Sequence, residues 1–329
     1  MESKNGSKQL ITDKEAIKAM VSGRRNQLPD GQQQKTFTFD WTSHPVSKYV
    51  EDDIARQVVK RGHYGRMTEG ETKVLSKYIQ TSSSEMTLEQ ARSLRSALLQ
   101  EKAMSRHHIL NSKAKEITVR YKRGQGVLSL SNQYDCPPVN LFRAILSTRG
   151  YSKADIKDCV QHPEVSELNK RDRRQLSIAT QADVVSNPDR DYGHEKGAVF
   201  ESITAKFLKD LGIAFVVQDD LVEEQRELFG KTVASPDFLL LDEVTINGQS
   251  VRWIDAKAFY GANVKCRKRT AKRQANKYCE FWGSGAVLFL EGFSANLTGS
   301  IDECMFLSAR DIMTEYYFQP LVELKEKQH

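Results

Sequence analysis

A chain of 329 residues, 39% apolar and 28% charged, is long enough to bury a sizeable core and, at the usual domain size, to form about two domains. No stretch approaches the roughly 18 apolar residues of a membrane-spanning helix, so no membrane association is expected. The opening MESKNGSKQL has neither the apolar core of a secretory signal nor the composition of a transit peptide. Five cysteines, Cys136, Cys159, Cys266, Cys279 and Cys304, lie far apart without CxxC or Cys/His spacing. That speaks for reduced thiols in an intracellular compartment, nucleus or cytoplasm, and against a zinc site. A net charge of +6 is modest, so the placement of charge matters more than its total.

Residues 1–45 read as a flexible tail and linker. SGRRNQLPDGQQQKTF is polar and turn-rich, with at most a short helix around Asp13–Val21. From residue 46 the pattern turns helical: VSKYVEDDIARQVVKRG sets Val46, Val50, Ile54, Val58 and Val59 on one stripe and stops at Gly62. Further helices are expected at 68–80, 87–104 and 106–121, making residues 46–162 an all-α region. Within it, GVLSLSNQYDCPPVNLFRAILSTRG predicts a short helix over Val127–Tyr134, a tight turn, and a second helix opened by Pro137-Pro138 and closed by Gly150. Residues 127–150 thus have the outline of a helix-turn-helix, whose second helix can enter a major groove. The same outline serves an ordinary helical hairpin.

A polar helical connector over 163–192 leads into a segment of different texture, 193–329. GAVFESITAKFLKDLG is an amphipathic helix with Phe200, Ile203, Phe207, Leu208 and Leu211 inward and Gly212 as its cap. A β-branched strand (213–217), a surface helix (LVEEQRELFG), a strand at 236–241, an Asn247-Gly248 turn and a strand at 250–257 follow. Asn-Gly between two β runs is a strong hairpin signal. A basic helix (264–282), the strand AVLFLEG (286–292) and a helix-rich end complete the chain. The fold class is therefore α/β with a small mixed sheet, preceded by the all-α region.

The chemistry concentrates in SPDFLLLDEVTINGQSVRWIDAKAFYG. Along a strand, Asp255 and Lys257 share one face, and the hairpin brings them beside the strand that Asp237 opens. Two carboxylates from neighbouring strands with a lysine one pleat away suit Mg²⁺, or Mn²⁺, which takes oxygen ligands and retains waters. A bare Asp-x-Lys at a strand end is also commonly an exposed ion pair. Trp253, Ile254 and Ala256 place this strand in the core instead, where charges need a partner or a metal.

Pro236-Asp237 followed 18 residues later by Asp255-x-Lys257 resembles the PD-(D/E)XK nuclease superfamily. SPDFLL, RWIDAKAFYG and GSGAVLFLEGF are similar, more closely, to the codanin-interacting nuclease family of TPD-motif proteins. The likeness runs from about Met67 to Phe293, weakly through the helical half and strongly from Leu211 onward. Ser235 stands where that family has threonine, and the first 66 residues have no counterpart. The resemblance implies a restriction-endonuclease-like α/β domain in which Asp237, Asp255 and the Ala256 carbonyl bind the metal and Lys257 positions the attacking water.

It implies an additional acidic ligand on the preceding helix, for which Glu201 is the candidate and His194-Glu195 a competitor of poorer register. It also implies Gln274 near the scissile phosphate, with Tyr278 one turn on as a packing or hydrogen-bonding neighbour. The basic helix carries Lys265, Arg267, Lys268, Arg269, Lys272, Arg273 and Lys277 with no acid among them, starting eight residues after Lys257. A phosphate-binding rim is expected there, although such runs also serve as localisation signals.

The sequence thus points to an Mg²⁺-dependent nuclease acting on nucleic acid, DNA before RNA, of undetermined oligomeric state. Two other readings stay open. One is a catalytically silent nuclease fold that binds a codanin-like chromatin-assembly protein; the other is a sequence-specific DNA-binding regulator.

Overall fold

The structure, a computed structural model, describes residues 34–310 except 83–84, 165–166 and 187–189, together with 15, 312–314 and 316. The short helix expected around Asp13–Val21 lies, apart from Glu15, outside them. The chain divides into two compact units, residues 49–191 and residues 1–48 with 192–329. No helix among the described residues is long and apolar enough to cross a membrane.

In the helical unit, α1 (Lys48–Val58), α2 (Glu69–Thr81), α3 (Leu88–Ser105), α4 (His107–Lys122), α5 (Val127–Tyr134), α6 (Pro138–Thr148), α7 (Lys153–Gln161) and α8 (Lys170–Gln181) follow one another. Capping boxes start three of them: Thr68 with Glu71, Thr87 with Gln90, and Ser152 with Asp155. Each box satisfies two of the amide donors that a helix start leaves unpaired. Helix α6 buries Val139, Leu141, Phe142, Ile145 and Leu146 and leaves Asn140, Arg143 and Ser147 at least partly open on its other face. Helix α8, read from sequence as part of a connector, instead seats Leu176 and Ala179 in this core, both fully buried.

Asp135, in the turn between α5 and α6, ties the unit together. It adopts the left-handed conformation at φ 52°, which Asp tolerates better than most residues. Its carboxylate pairs with Lys102 at 2.7 Å and Arg106 at 3.3 Å and accepts the Gly62 N–H at 2.8 Å. Its carbonyl accepts the Tyr64 hydroxyl at 2.6 Å. Gly62 cannot be replaced freely: its φ is +68°, and a Cβ would stand 2.4 Å from Oδ1 of Asn132. Burial works against ionisation of Asp135, but Lys102, the Gly62 amide and Arg106 hold it below the usual carboxylate range.

A carboxylate depressed in the folded state stabilises it fully above its unfolded value, near 3.9, and loses that contribution as pH falls. Asp135→Ala should therefore cost about 3–5 kcal/mol at pH 7, because two cations and an amide lose their acceptor. Urea titrations should show the gap between mutant and wild type closing below pH about 4.

The other unit is a six-stranded mixed sheet. Its strands are β1 (Thr36–Phe39), β2 (Phe215–Val217), β3 (Phe238–Ile246), β4 (Gln249–Lys257), β5 (Gly285–Phe289) and β6 (Cys304–Ser308). The order is β1-β3-β4-β5-β6, with β2 also paired to β3. Asn247 and Gly248 both take positive φ, 50° and 78°, as a tight turn between β3 and β4 requires. Strands β4, β5 and β6 run parallel.

One edge of β3 serves two partners: β2 lies antiparallel along residues 238–240 and β1 parallel along 243–246. Asp242, buried between them, accepts the Lys35 N–H at 3.0 Å and the Ala214 N–H at 2.7 Å. It thereby satisfies the amide that each incoming segment leaves unpaired.

Helix α9 (Arg190–Asp210) covers one face, packing Phe200, Ile203, Phe207 and Leu208 on Phe238, Leu240, Ile254 and Leu288. Helix α11 (Lys265–Trp282) covers the other, with Tyr278, Phe281 and Trp282 on Leu239, Trp253 and Val287. Gly285 permits this second layer, since a Cβ there would lie 2.2 Å from the Trp253 ring.

Two expectations are corrected. Residues 36–41 are not linker: TFTF forms β1, and Trp41 is buried against Phe207, its indole N–H donating to the Ser308 carbonyl at 2.9 Å. The end of the chain supplies β6, beyond a single 3₁₀ turn at Ala295–Leu297, rather than helices alone. In both cases a strand of only four or five residues becomes stable by joining a sheet that already exists.

Candidate functional site

Phe238 pairs with Ile254 in the β3–β4 ladder, which sets Asp237 opposite Asp255. Directly opposed residues share a face, and here it is the α11 side, with Trp253 and Lys257. Asp237 is 7% exposed and Asp255 2%. Lys257 Nζ lies 2.6 Å from Asp255 Oδ2, and Asp237 Oδ2 accepts the Ala256 N–H at 2.7 Å. Gln274, from α11, donates from Nε2 to Asp255 Oδ1 at 3.3 Å and to the Tyr278 hydroxyl at 2.9 Å. That hydroxyl donates in turn to the Ser235 carbonyl at 3.0 Å.

Helix α10 (Gln218–Phe229) fixes the segment that leads into Asp237. The Gln225 side chain, fully buried, accepts the N–H groups of Val233 and Ala234 at 2.7 and 2.8 Å and donates to the Ala234 carbonyl at 2.9 Å. Gln218 donates from its side chain to the Ser235 carbonyl at 2.9 Å and from its backbone to the Asp237 carbonyl at 3.1 Å. Ser235 and Asp237 are thus both held, although the sequence presents this helix as a polar surface element. The buried pair Leu221 and Gln225, four residues apart, is the signal that identifies its inward face.

The electrostatics follow from two carboxylates and one ammonium sharing a dry pocket. Asp237 is pushed up to about 7, first by burial and then by the charge of Asp255, with Lys257 and the Ala256 amide opposing. Asp255 is raised by burial, against the pull of Lys257. Burial works to lower Lys257, but Asp255 and Asp237 outweigh it, so the lysine is held above its ordinary value and stays charged.

Among the expected residues, Asp237, Asp255, Lys257 and Gln274 come together and Glu201 stands apart. Glu201 sits on α9, the helix of the opposite face, with its side chain open to solvent. It remains within electrostatic reach: partial desolvation raises it first, Lys257 lowers it, and Asp255 and Asp219 raise it further. Among the described residues no group of three or more His, Cys, Asp and Glu is placed to hold a metal ion. His194 and Glu195 are exposed on α9.

On α11, Arg267 and Lys268 are half-buried, whereas Lys265, Arg269, Lys272, Arg273 and Lys277 are exposed. The Arg267 guanidinium lies 4.7 Å from the centre of the Phe259 ring.

A buried carboxylate whose pKa is raised destabilises the fold as pH climbs from the unfolded value, near 3.9, to the folded one. Asp237→Asn, which keeps an acceptor for the Ala256 amide, should therefore match wild type near pH 4. It should exceed wild type by a margin that grows to about pH 7, reaching a few kcal/mol. Urea denaturation at pH 4, 6 and 8 in a chelating buffer reads this directly. Equal stability of the two proteins at pH 8 would contradict the assigned burial.

Residues 168–310 match the family model described as "Protein of unknown function TPD sequence-motif". An uncharacterised protein, L539, of Acanthamoeba polyphaga mimivirus is 28% identical over 127 residues, 36% of this chain and 44% of its own. The chain thus spans less than half the length of that relative. No solved structure matches the chain.

Proposed function

We propose that the α/β unit is a PD-(D/E)XK-type, Mg²⁺-dependent nuclease domain that hydrolyses phosphodiester bonds in nucleic acid, DNA in the first instance. The observation that carries this reading is the Asp237–Asp255 pair, buried where β3 begins and β4 ends, with the Lys257 ammonium on Asp255. Two like charges forced together in a dry site are unfavourable unless a cation joins them. Magnesium is commonly held by one or two carboxylates plus waters and substrate phosphate. The donor set therefore fits that ion without a third protein ligand, and Glu201 would act, if at all, through water. Bound Mg²⁺ would supply Lewis-acid polarisation of a phosphoryl oxygen and a water of lowered pKa.

The chain's own residues would do the rest. Asp237 and Asp255 would hold the ion as ionised carboxylates. Lys257, released from Asp255, would keep its ammonium beside the attacking water and the phosphate oxygen, where negative charge develops. Gln274, anchored to Tyr278 and through it to Ser235, would keep the Asp255 carboxylate in one orientation. The exposed cations of α11 would grip flanking phosphates, a contribution that weakens steeply with salt. Among the described residues Tyr278, whose hydroxyl is engaged with Gln274 and the Ser235 carbonyl, is not paired with a base, so attack by water without a covalent enzyme intermediate is the economical route.

A second reading has its own support. The Lys257–Asp255 ion pair closes the site on itself, and among the described residues no third carboxylate joins it, as would suit a silent nuclease fold that recruits a codanin-like protein. Purified protein incubated with labelled duplex, flap, junction and single-stranded DNA and RNA, with and without Mg²⁺ or Mn²⁺, separates the two. The nuclease reading predicts metal-dependent cleavage that Lys257→Ala reduces about 10²–10³-fold with substrate binding retained. It also predicts a metal-induced rise in melting temperature that Asp237→Asn loses. No cleavage of any substrate and no thermal shift would leave the scaffold. Reversing the charges of Arg269, Lys272 and Arg273 should flatten the salt dependence of binding, by about one unit of slope per lost phosphate contact.

A further inference from the structure

Beside Lys257 and Gln274 a cleft of about 80 Å³ opens between β4, α11 and the segment before β6. Phe259, Phe289, Phe306, Leu297 and Ile301 make it apolar and largely aromatic. Arg267, Lys268, Thr270 and Ser300 interrupt that lining, in addition to Lys257 and Gln274. Nε of Arg267 and Oγ of Ser300 are buried, and among the described residues neither has a hydrogen-bond partner. A buried donor without a partner is costly, and Nε–H can only donate. The lining thus calls for a flat, mostly apolar ligand with an acceptor for Arg267 and a polar edge for the Ser300 hydroxyl. A protein aromatic ring would leave Arg267 unanswered, and the neighbouring surface of α11 is cationic.

We propose that this cleft is a slot for one unpaired nucleobase, a pyrimidine by size, on the strand whose phosphate lies at the carboxylate pair. The proposal deepens the nuclease reading and rests on its nucleic-acid substrate. A closed apolar cavity of about 150 Å³ takes benzene, so an open-mouthed cleft of about 80 Å³ receives part of a six-membered ring and a smaller share of a fused purine. A base seated there faces the aromatic wall beside the Phe259–Arg267 stack and offers a ring carbonyl to Nε. Its phosphate then falls towards Lys257. A paired base cannot enter, so the slot selects single-stranded, frayed or flipped nucleotides.

The test needs no cleavage. Binding of a labelled ten-residue oligothymidylate is compared with that of a wholly abasic phosphodiester of the same length, in a chelating buffer. Wild type should bind the thymidylate about tenfold tighter, the value of one stacked base, and oligodeoxyadenylate less tightly than thymidylate. Ala271→Phe, which fills the slot from α11, should remove the preference while leaving abasic affinity and its salt slope unchanged. Arg267→Lys, which keeps the charge and loses Nε, should shrink the preference as well. If Ala271→Phe does not fold, Arg267→Lys and Ser300→Ala still decide.

Competition by thymidine monophosphate as strong as that by the oligomer would assign the slot to free nucleotides. Equal affinity of wild type for thymidylate and abasic strands, no binding of either, or a preference unmoved by both α11 variants overturns the proposal. Cleavage without base preference would sink the slot and keep the nuclease. Base preference without any cleavage would do the reverse.

Discussion

Everything at the site depends on one cross-strand contact, the opposition of Asp237 and Asp255 across β3 and β4. In water the two carboxylates would ionise near pH 4 and separate. The ladder fixes their backbones, and the core on both faces keeps water from them. Their repulsion is then relieved in only three ways: by a proton, by an ammonium, or by a metal ion. The protein uses the first two. Asp237, pushed up to about 7 by burial and by Asp255, keeps its proton part of the time at neutral pH, and Lys257 sits on Asp255. The balance leaves Lys257 tied to Asp255 and Asp237 partly protonated, so the pair carries less net negative charge than two carboxylates would.

Holding that contact requires rigid approaches from three directions, and the structure builds two of them with side-chain amides and the third with a carboxylate. Gln225 closes the loop before Ser235, Gln274 links Asp255 to Tyr278, and Asp242 secures the ends of the segments that flank β3. Neutral amides suit this work. They donate and accept together, and they add no charge to a site whose balance of two minus and one plus is already tight. A lysine or glutamate in place of Gln225 would bring an uncompensated charge into a fully buried position.

Part of this was legible in the sequence, for physical reasons. Asn247-Gly248 between apolar runs dictates the hairpin, and the hairpin dictates which carboxylates meet. The acid-free run on α11 must lie beside them because the connection from Lys257 is short. Other parts were not legible. The strands β1 and β6 are too brief to show a period, and their stability comes from a sheet assembled from residues some 200 positions away in the case of β1. Gln225 reads as one more polar residue on a polar helix, since its role is set by a loop that follows the helix. For Glu201, the resemblance implied an acidic ligand on the helix before the first strand; the packing sets α9 on the face opposite α11, with Glu201 still within electrostatic reach of Lys257 and Asp255.

Helix α11 shows how one element serves several demands through periodicity alone. Successive residues advance about 100° around the axis, so Arg267, Ala271, Gln274 and Tyr278 fall on a single stripe. That stripe meets the sheet and contributes, in order, a wall of the cleft, its floor beside the helix, the amide on Asp255 and the anchor to Ser235. The opposite stripe carries Lys265, Arg269, Lys272, Arg273 and Lys277, all exposed. The outer stripe lies within one helix diameter of the inner one, about 10–12 Å. Exposed charge, which salt screens, and the contacts that orient the carboxylate pair are thereby separated by the faces of a single helix. A substitution on one face leaves the other's geometry intact, so surface charge and site packing can vary independently in sequence.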